Sequence, residues 1–474
     1  MKRGYLLLIL LALLSGCAVG PDYKRPAVKL PENFRAAPAE ATAASLADAP
    51  WWDVYRDDTL KYLIRVALEK NYDLRVAATR VEQARAVVAE AQSMFLPALD
   101  YDGLGSTGRN EQYGRAVRNR GRRTTEAISS VSAAWEVDMW GRIRRLNEAD
   151  QAQFFATEEA RRGVALSLLS EVATAYFQLL ELDAELEIAR RTADSFQASL
   201  KIFRQRLNGG VASKLETSRA EAALAATAAT IPGLERQIAA TENQISILLG
   251  RAPAAIPRST TLLEQTMPPE VPAGLPSALL EHRPDIRQAE QLLRAANAEI
   301  GVAIAEFLPH IELTGTRGRM SPDFLTLNGA TQTWATTGDV SGPLFRGGAL
   351  VAGYKGAKAA RQQARLQYRQ TILNALQEVA DALCARDKYE EMRVQLALSV
   401  VAYRESVKVS SQRYVAGRAS YYEVLEAQQE LFPAEIALAR TQLNQLLAIV
   451  QLYKALGGGW PADEKIAVKP ARDR

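Results

Sequence analysis

One stretch of this chain occurs twice. Gln205–Leu224, QRLNGGVASKLETSRAEAAL, aligns with Gln412–Leu431, QRYVAGRASYYEVLEAQQEL, at a constant offset of 207 residues. Upstream, Leu68-Glu69, Asp73-Leu74-Arg75, Ala77 and Phe95-Leu96-Pro97 recur at offset 212 as Leu280-Glu281, Asp285-Ile286-Arg287, Ala289 and Phe307-Leu308-Pro309. Any fold for this chain must therefore be built from two copies of one unit.

The repeated stretch reads as a helix, a short turn and a second helix. Gly210 and Gly417 supply the φ > 0 position that ends the first helix. Ser213 with Glu216, and Ser420 with Glu423, form S-x-x-E capping boxes that start the next one. Long helical patterns precede each tip, from about Arg142 to Leu207 and from about Leu350 to Tyr414. Each would extend roughly 100 Å at ~1.5 Å per residue. In the first, Leu169, Val172, Tyr176, Leu179, Leu182, Leu186, Ala189, Ala193, Phe196, Leu200, Phe203 and Leu207 fall at steps of three and four, a coiled-coil seam. The return helices, about Ser213–Leu249 and Ser420–Leu456, contain Pro232 and Pro433, each expected to kink or break its helix.

Before each long helix the pattern changes from a helical stretch, about Leu60–Phe95 in the first copy, to strands. Val131, Ala133, Trp135, Val137 and Met139 alternate with Ser130, Ser132, Ala134, Glu136 and Asp138. Lipid on one face and water on the other require that alternation, and a buried sandwich strand would not carry Glu136 and Asp138 inward. Ile311 and Leu313 alternate more briefly against Glu312 and Thr314. Four strands cannot close a membrane barrel, so several chains must share one, and three chains would supply twelve. The connection bearing Arg109, Arg115, Arg118, Arg120, Arg122 and Arg123 is either a solvated loop or a contact for anionic lipopolysaccharide.

The N-terminus has the form of a secretory signal: Lys2 and Arg3, an apolar run from Tyr5 to Leu14, then Leu14-Ser15-Gly16-Cys17. The last four residues resemble a bacterial lipobox, with Cys17 as the acylated first residue. Ala18 in place of an aspartate favours sorting to the outer membrane. With Cys17 lipidated, Cys384 has no intrachain partner and disulfides play no part. Beyond the signal, no run of eighteen or more uninterrupted apolar residues exists to span a membrane as a helix, so a span must be made of strands.

The expected segments are a signal peptide over 1–16, a lipidated extended arm over 17–59, and a first repeat over 60–250. That repeat holds a helix, strands at about 98–140 and a hairpin tip near 207–213. A Pro-rich connector over 251–284 follows, with Pro253, Pro257, Pro268, Pro269, Pro272, Pro276 and Pro284. A second repeat over 285–457, with strands at about 310–343 and a tip near 414–420, precedes a tail over 458–474.

Cys17 with Gly20-Pro21-Asp22-Tyr23 and Pro26, the two tips, and Leu431-Phe432 with Ala434-Glu435 carry a resemblance over nearly the whole chain. They resemble the TolC-like outer-membrane efflux channels, lipoprotein branch of the OprM/NodT type. The departures are Glu426, where family members often have aspartate, and Pro433. The resemblance implies a mainly α chain with a membrane β part: long hairpins of a trimeric α-barrel tunnel, and four strands per chain in a shared 12-stranded outer-membrane β-barrel. It also implies passive passage of small molecules, a homotrimer in outer-membrane lipid, a periplasmic membrane-fusion adaptor and a proton-driven inner-membrane pump. By the family pattern Tyr422 and Glu426 lie at the periplasmic aperture, and three copies of Glu426 would form a carboxylate ring favouring cations. Leu207, Gly210, Ser213, Tyr414, Gly417 and Ser420 are the adaptor-contacting candidates.

Alternatives stay open at this level: a same-fold exporter of proteins, or a periplasmic coiled-coil lipoprotein of adaptor type. Catalysis has little support, since the two histidines, His282 and His310, form no spaced pair and neither a G-x-S-x-G elbow nor a P-loop is present. No catalytic residue, metal site or cofactor is expected beyond the lipid on Cys17. A net charge of +4, with its bases spread along helices, makes nucleic acid an unsuitable partner.

Overall fold

A computed structural model of the chain describes residues 18–35, 50–109, 123–211, 213–265, 274, 276–321 and 330–458. The signal peptide, Cys17, Arg115, Arg118, Arg120, Arg122, Pro268, Pro269 and Pro272 lie outside the described residues. In order the elements are α1 (Trp51–Val54), α2 (Asp58–Lys70), α3 (Tyr72–Ser93), β1 (Ala98–Arg109), β2 (Arg123–Glu136), α4 (Arg142–Asn208) and α5 (Lys214–Leu248). Then follow α6 (Leu279–His282), α7 (Pro284–Ala305), β3 (His310–Ser321), β4 (Thr331–Ser341), α8 (Ala349–Val415) and α9 (Tyr421–Ala455).

The duplication is visible in the backbone. α3 and α7 have 22 residues each, α4 and α8 have 67, and α5 and α9 have 35. Their C-termini also match. Gly210, Gly250, Gly417 and Gly457 all have positive φ, between 67° and 100°. At the first tip Gly210 N–H donates to Leu207 and Val211 N–H to Arg206. At the second, Gly417 N–H donates to Tyr414 and Arg418 N–H to Arg413. This is the Schellman closure, which satisfies carbonyls that the helix end would otherwise leave open.

The chain forms two compact units. The first comprises 1–27, 80–158 and 288–369 and contains the sheet. Its strands are antiparallel in the order β1-β2-β3-β4. The register sets Tyr101, Val131, Arg317 and Trp334 in one row across the sheet, and Leu99, Ala133, Gly315 and Thr336 in the next. On this face Leu99, Tyr101, Val131, Leu313, Trp334 and Val340 are 44% to 88% exposed. The opposite face carries Asp100, Asp102, Ser130, Ser132, Thr314, Thr316, Thr333 and Thr337. One face is thus apolar and uncovered while the other is polar, as a strand between lipid and water requires.

Two acidic side chains expected on the polar face are committed elsewhere. Asp138 lies past the end of β2, where its carboxylate accepts from the amides of Ile143 and Arg144 at the start of α4. Those amides have no intrahelical acceptor, so the carboxylate is more stable there than on a strand face. Glu136 accepts two hydrogen bonds from Arg142, at 2.9 and 2.6 Å.

The second unit comprises 28–79, 159–287 and 370–474. Leu169, Val172, Tyr176, Leu179, Ala189, Phe196, Leu200 and Phe203 of the α4 seam are all buried. The most apolar stretch of α4 is two-thirds buried inside the protein, so its hydrophobicity is used in packing. The helical stretch from Leu60 to Phe95 is broken at Asn71, whose Oδ1 accepts from Leu74 N–H and starts α3 anew. Asp57 caps α2 through Leu60 N–H and also accepts from Tyr176, Ser259, Thr260 and Gln265. Burial alone would raise its carboxyl, but these donors hold it below the usual carboxylate range. They also fix the described part of the connector, which contributes buried Ile256 and Leu262 and a 3₁₀ turn at Leu262–Glu264.

Neither proline breaks its helix, and α5 and α9 run through Pro232 and Pro433. In α9 side-chain bonds to other helices flank the proline. Gln428 donates to Ser195, and Glu435 accepts from Arg191 and Arg404. Such contacts offset the missing backbone hydrogen bond.

Candidate functional site

Both hairpin tips belong to the second unit, and an aromatic cluster joins them. Phe196, Leu200 and Phe203 of α4 and Ala220 and Ala223 of α5 pack with Tyr421, Val424 and Leu425 of α9, and Tyr414 leans on the cluster. Phe203 and Tyr414 rings meet edge-on at 5.5 Å, and Tyr414 and Tyr421 at 6.1 Å. The Tyr421 hydroxyl is pushed up to about 12, first by burial and then by Tyr414 and Glu216.

The two capping boxes differ. At the first tip Ser213 Oγ accepts from Glu216 N–H while the Glu216 carboxylate accepts from Ser213 N–H. At the second, Ser420 is the N-cap residue but makes no side-chain cap bond, and Glu423 faces Arg413 at 3.4 Å. The cause is the neighbouring residue type. Position 207 is leucine and 414 is tyrosine, and Arg206 stacks over the Tyr414 ring at 4.7 Å. Arg206 is thereby held on the ring, whereas Arg413 pairs with the glutamate that would have closed the box.

Of the two residues expected at the aperture, Tyr422 is 57% exposed and Glu426 is exposed. Glu426 lines an open groove between α8 and α9 with Tyr403, Arg413, Glu423 and Glu430. Sequence reasoning passed over Glu423 and Glu430 as its neighbours, although spacings of three and four residues place all three on one helix face. It also passed over Tyr421, which is buried beside exposed Tyr422. Gly210 and Gly417 are exposed, with nothing within 4 Å of an added Cβ. Leu207 is half-buried, Ser213 and Ser420 are exposed, and Tyr414 is partly engaged by the cluster.

In the first unit a second constellation holds the start of the described chain. Val19 N–H donates to Trp140 carbonyl, just past β2, and Arg145 donates to Val19 and Gly20 carbonyls and pairs with Asp22. Gly20, at φ 99°, passes so close to Gly301 that a Cβ would sit 2.5 Å from the Gly301 Cα. Further along, Asn297 donates to Pro21 carbonyl, Tyr23 and Arg25 donate to Glu290, and Arg294 lies over the Tyr23 ring. The Gly20-Pro21-Asp22-Tyr23 segment is thus a fitted strap.

Residues 63–251 and 275–458 match the family described as outer membrane efflux protein. The chain belongs to that family. It is 34% identical over 453 residues to the toluene efflux pump outer membrane protein TtgC of Pseudomonas putida, covering 94% of each chain. It is also 34% identical over 455 residues to the cation efflux system protein CusC of an Escherichia coli O6:H1 strain, covering 94% of this chain and 96% of that one. The open-state structure of the Neisseria gonorrhoeae outer membrane channel MtrE superimposes with a TM-score of 0.84 at 30% identity, covering 94% of this chain and 98% of that one. The chain is an efflux channel of the outer membrane, with a periplasmic helical part. Its family consists of channel-type efflux proteins rather than enzymes.

Proposed function

We propose that three copies of this chain form the exit duct of a tripartite pump, passing small molecules without chemistry from a periplasmic membrane-fusion adaptor and a proton-driven inner-membrane pump to the exterior. One observation carries this reading: a four-stranded sheet with an apolar uncovered face, a polar opposite face and free edges at β1 and β4. Such a sheet is too short to close alone, and its edges call for further strands. Relatives named for toluene and for cations bracket the cargo. The absence of a Met- or His-rich stretch favours organic molecules over metal ions.

In this reading residues 1–16 are removed, Cys17 carries the lipid, and the strap from Ala18 to Arg25 sets where that lipid enters the membrane. The repeats occupy 60–250 and 285–457, joined by the connector 251–284, with 17–59 as the arm and 458–474 as the tail. Glu426 and Tyr422 line the aperture. The groove carrying Glu423, Glu426 and Glu430 supports a carboxylate ring that admits cations more readily than anions. Leu207, Gly210, Ser213, Tyr414, Gly417 and Ser420 meet the adaptor, with the open surroundings of both glycines as support.

The test is single-channel conductance in a planar bilayer, with oligomeric mass measured in the same detergent. A cation-selective trimer whose selectivity drops in Glu426→Ala is expected. A monomer without conductance would overturn the duct, and an unchanged reversal potential in asymmetric salt would overturn the ring. Normal drug resistance after bulky replacements at both Gly210 and Gly417 would remove the docking assignment.

A further inference from the structure

The uncovered apolar face of the sheet is interrupted by two arginines. Arg317 stands in the row Tyr101–Val131–Arg317–Trp334, and Arg319 in the next row outward, between Ser129 and Gln332. Both are exposed, and neither has a hydrogen-bond or ion-pair partner among the described residues. Below them this face is apolar or neutral down to Ile311 and Val340, which are register partners. Above them the next row carries Ala127 and Ser321.

Depth gives the arginines their meaning. A strand advances ~3.4 Å per residue and a membrane strand tilts by ~40°, so each residue climbs roughly 2.6 Å along the membrane normal. From Ile311 the climb is about 16 Å to Arg317 and about 21 Å to Arg319, against an apolar band of ~25 Å. A guanidinium on the lipid face is tolerated close to the interface and costly at the midplane. Trp334, 77% exposed and the register partner of Arg317, and Tyr101, 88% exposed and two strands away in the same row, are the residue types that collect at the headgroup boundary. On that count Arg319 stands about 4 Å and Arg317 about 9 Å short of the outer edge, in the outer half of the lipid-facing surface, where a long guanidinium side chain can snorkel outward to the headgroups.

We propose that Arg317 and Arg319 bind the phosphate groups of the outer-leaflet glycolipid, with Trp334 and Tyr101 packing against its acyl and sugar portions. This rests on the reading of the sheet as part of an outer-membrane barrel. Charge complementarity selects the occupant. A guanidinium forks onto two phosphate oxygens and carries less tightly held water than an ammonium, which suits it to a phosphomonoester at a half-desolvated interface. Three chains would present six such guanidinium groups around the barrel.

The experiment titrates the detergent-purified full chain with diphosphorylated lipid A and with its dephosphorylated form, at low and high salt, following bound lipid by native mass spectrometry. Single-channel conductance is recorded on the same preparation. The expected result is binding about tenfold or more tighter to the diphosphorylated form, weakened by salt. That preference should be lost in R317Q/R319Q and largely kept in R317K/R319K. Equal affinity for the two forms, or an undiminished preference in R317Q/R319Q, would overturn the proposal. So would equal competition by phosphatidylglycerol, which would make the row a general anionic-lipid belt. If R317Q/R319Q fails to assemble, the wild-type comparison of the two lipids decides. A conducting trimer without the preference removes only the lipid site, whereas a non-conducting monomer removes the channel reading beneath it.

Discussion

Glu435 ties the two hairpins together, and its removal should loosen the tip half of the molecule by a predictable amount. The carboxylate is 5% exposed and sits between Arg191 of α4, at 2.5 Å, and Arg404 of α8, at 2.7 and 2.9 Å. Hydrogen bonds to charged groups contribute ~1.5–3 kcal/mol each in favourable cases. Two considerations reduce the sum. Burying the carboxylate already costs several kcal/mol, and the arginines, 53% and 58% exposed, regain water when it is removed. Glu435→Gln should therefore cost about 1–3 kcal/mol. Heat denaturation of a large membrane protein is irreversible and reports a rate, so the better assay is native-state amide exchange along α9 near the substitution. A loss of about 2 kcal/mol should speed local opening roughly 30-fold, while amides of β1 to β4 keep their protection. A cycle with Arg404→Gln should show coupling of about 1 kcal/mol. Unchanged exchange around residue 435, or strict additivity with Arg404→Gln, would refute the assignment of Glu435 as the tie.

Burial, the hydrogen bond shared with Glu185 and the Glu185 charge push the Glu181 carboxyl up to about 8, against the opposing pull of Arg440. Because that exceeds the unfolded value of ~4.3, the folded state holds an extra proton between the two. Stability should then fall as pH rises from about 4.3 to 8. Glu181→Gln should flatten that slope in amide-exchange protection factors around residue 181 compared at pH 5.5 and 8.5, and a retained slope would place the titration elsewhere. A Cβ at Gly301 would stand 2.7 Å from Arg145 Cγ and 2.8 Å from Val19 carbonyl. Gly301→Val should therefore displace the strap at a cost of about 1–3 kcal/mol and expose residues 18–25 to limited proteolysis, and unaltered cleavage would contradict the fit.

Helix ends were legible because they depend on neighbours in sequence. Glycine at 210 and 417 needs only a left-handed position to close its helix, and the shared offset of 207 makes both hairpins equal in length. Strand alternation was legible for the same reason. What could not be read depends on which helix lies alongside. Asp138 continues the alternation on paper, yet two free amides at the start of α4 claim it. Tyr421 and Tyr422 are adjacent and chemically alike, and only Phe203 packing against the first decides which of them is buried. Glu435 carried the family resemblance, but its role needs arginines 244 and 31 residues away.

The two repeats differ in charge at the positions expected to line the aperture. At offset 207, Glu423, Glu426 and Glu430 correspond to Glu216, Arg219 and Ala223. The acidic stripe is therefore confined to the second hairpin, and the first presents an exposed arginine at the position equivalent to Glu426. If both hairpins lined the mouth equally, three arginines would offset three glutamates and the ring would have little selectivity. A cation-selective pore therefore requires the second hairpins to line the constriction, with Arg219 facing away from the ion path. In that arrangement Arg219→Ala leaves the reversal potential in asymmetric salt unchanged while Glu426→Ala shifts it toward zero. Increased cation preference in Arg219→Ala would show instead that both hairpins reach the mouth, and the aperture would then be a six-residue ring of alternating charge.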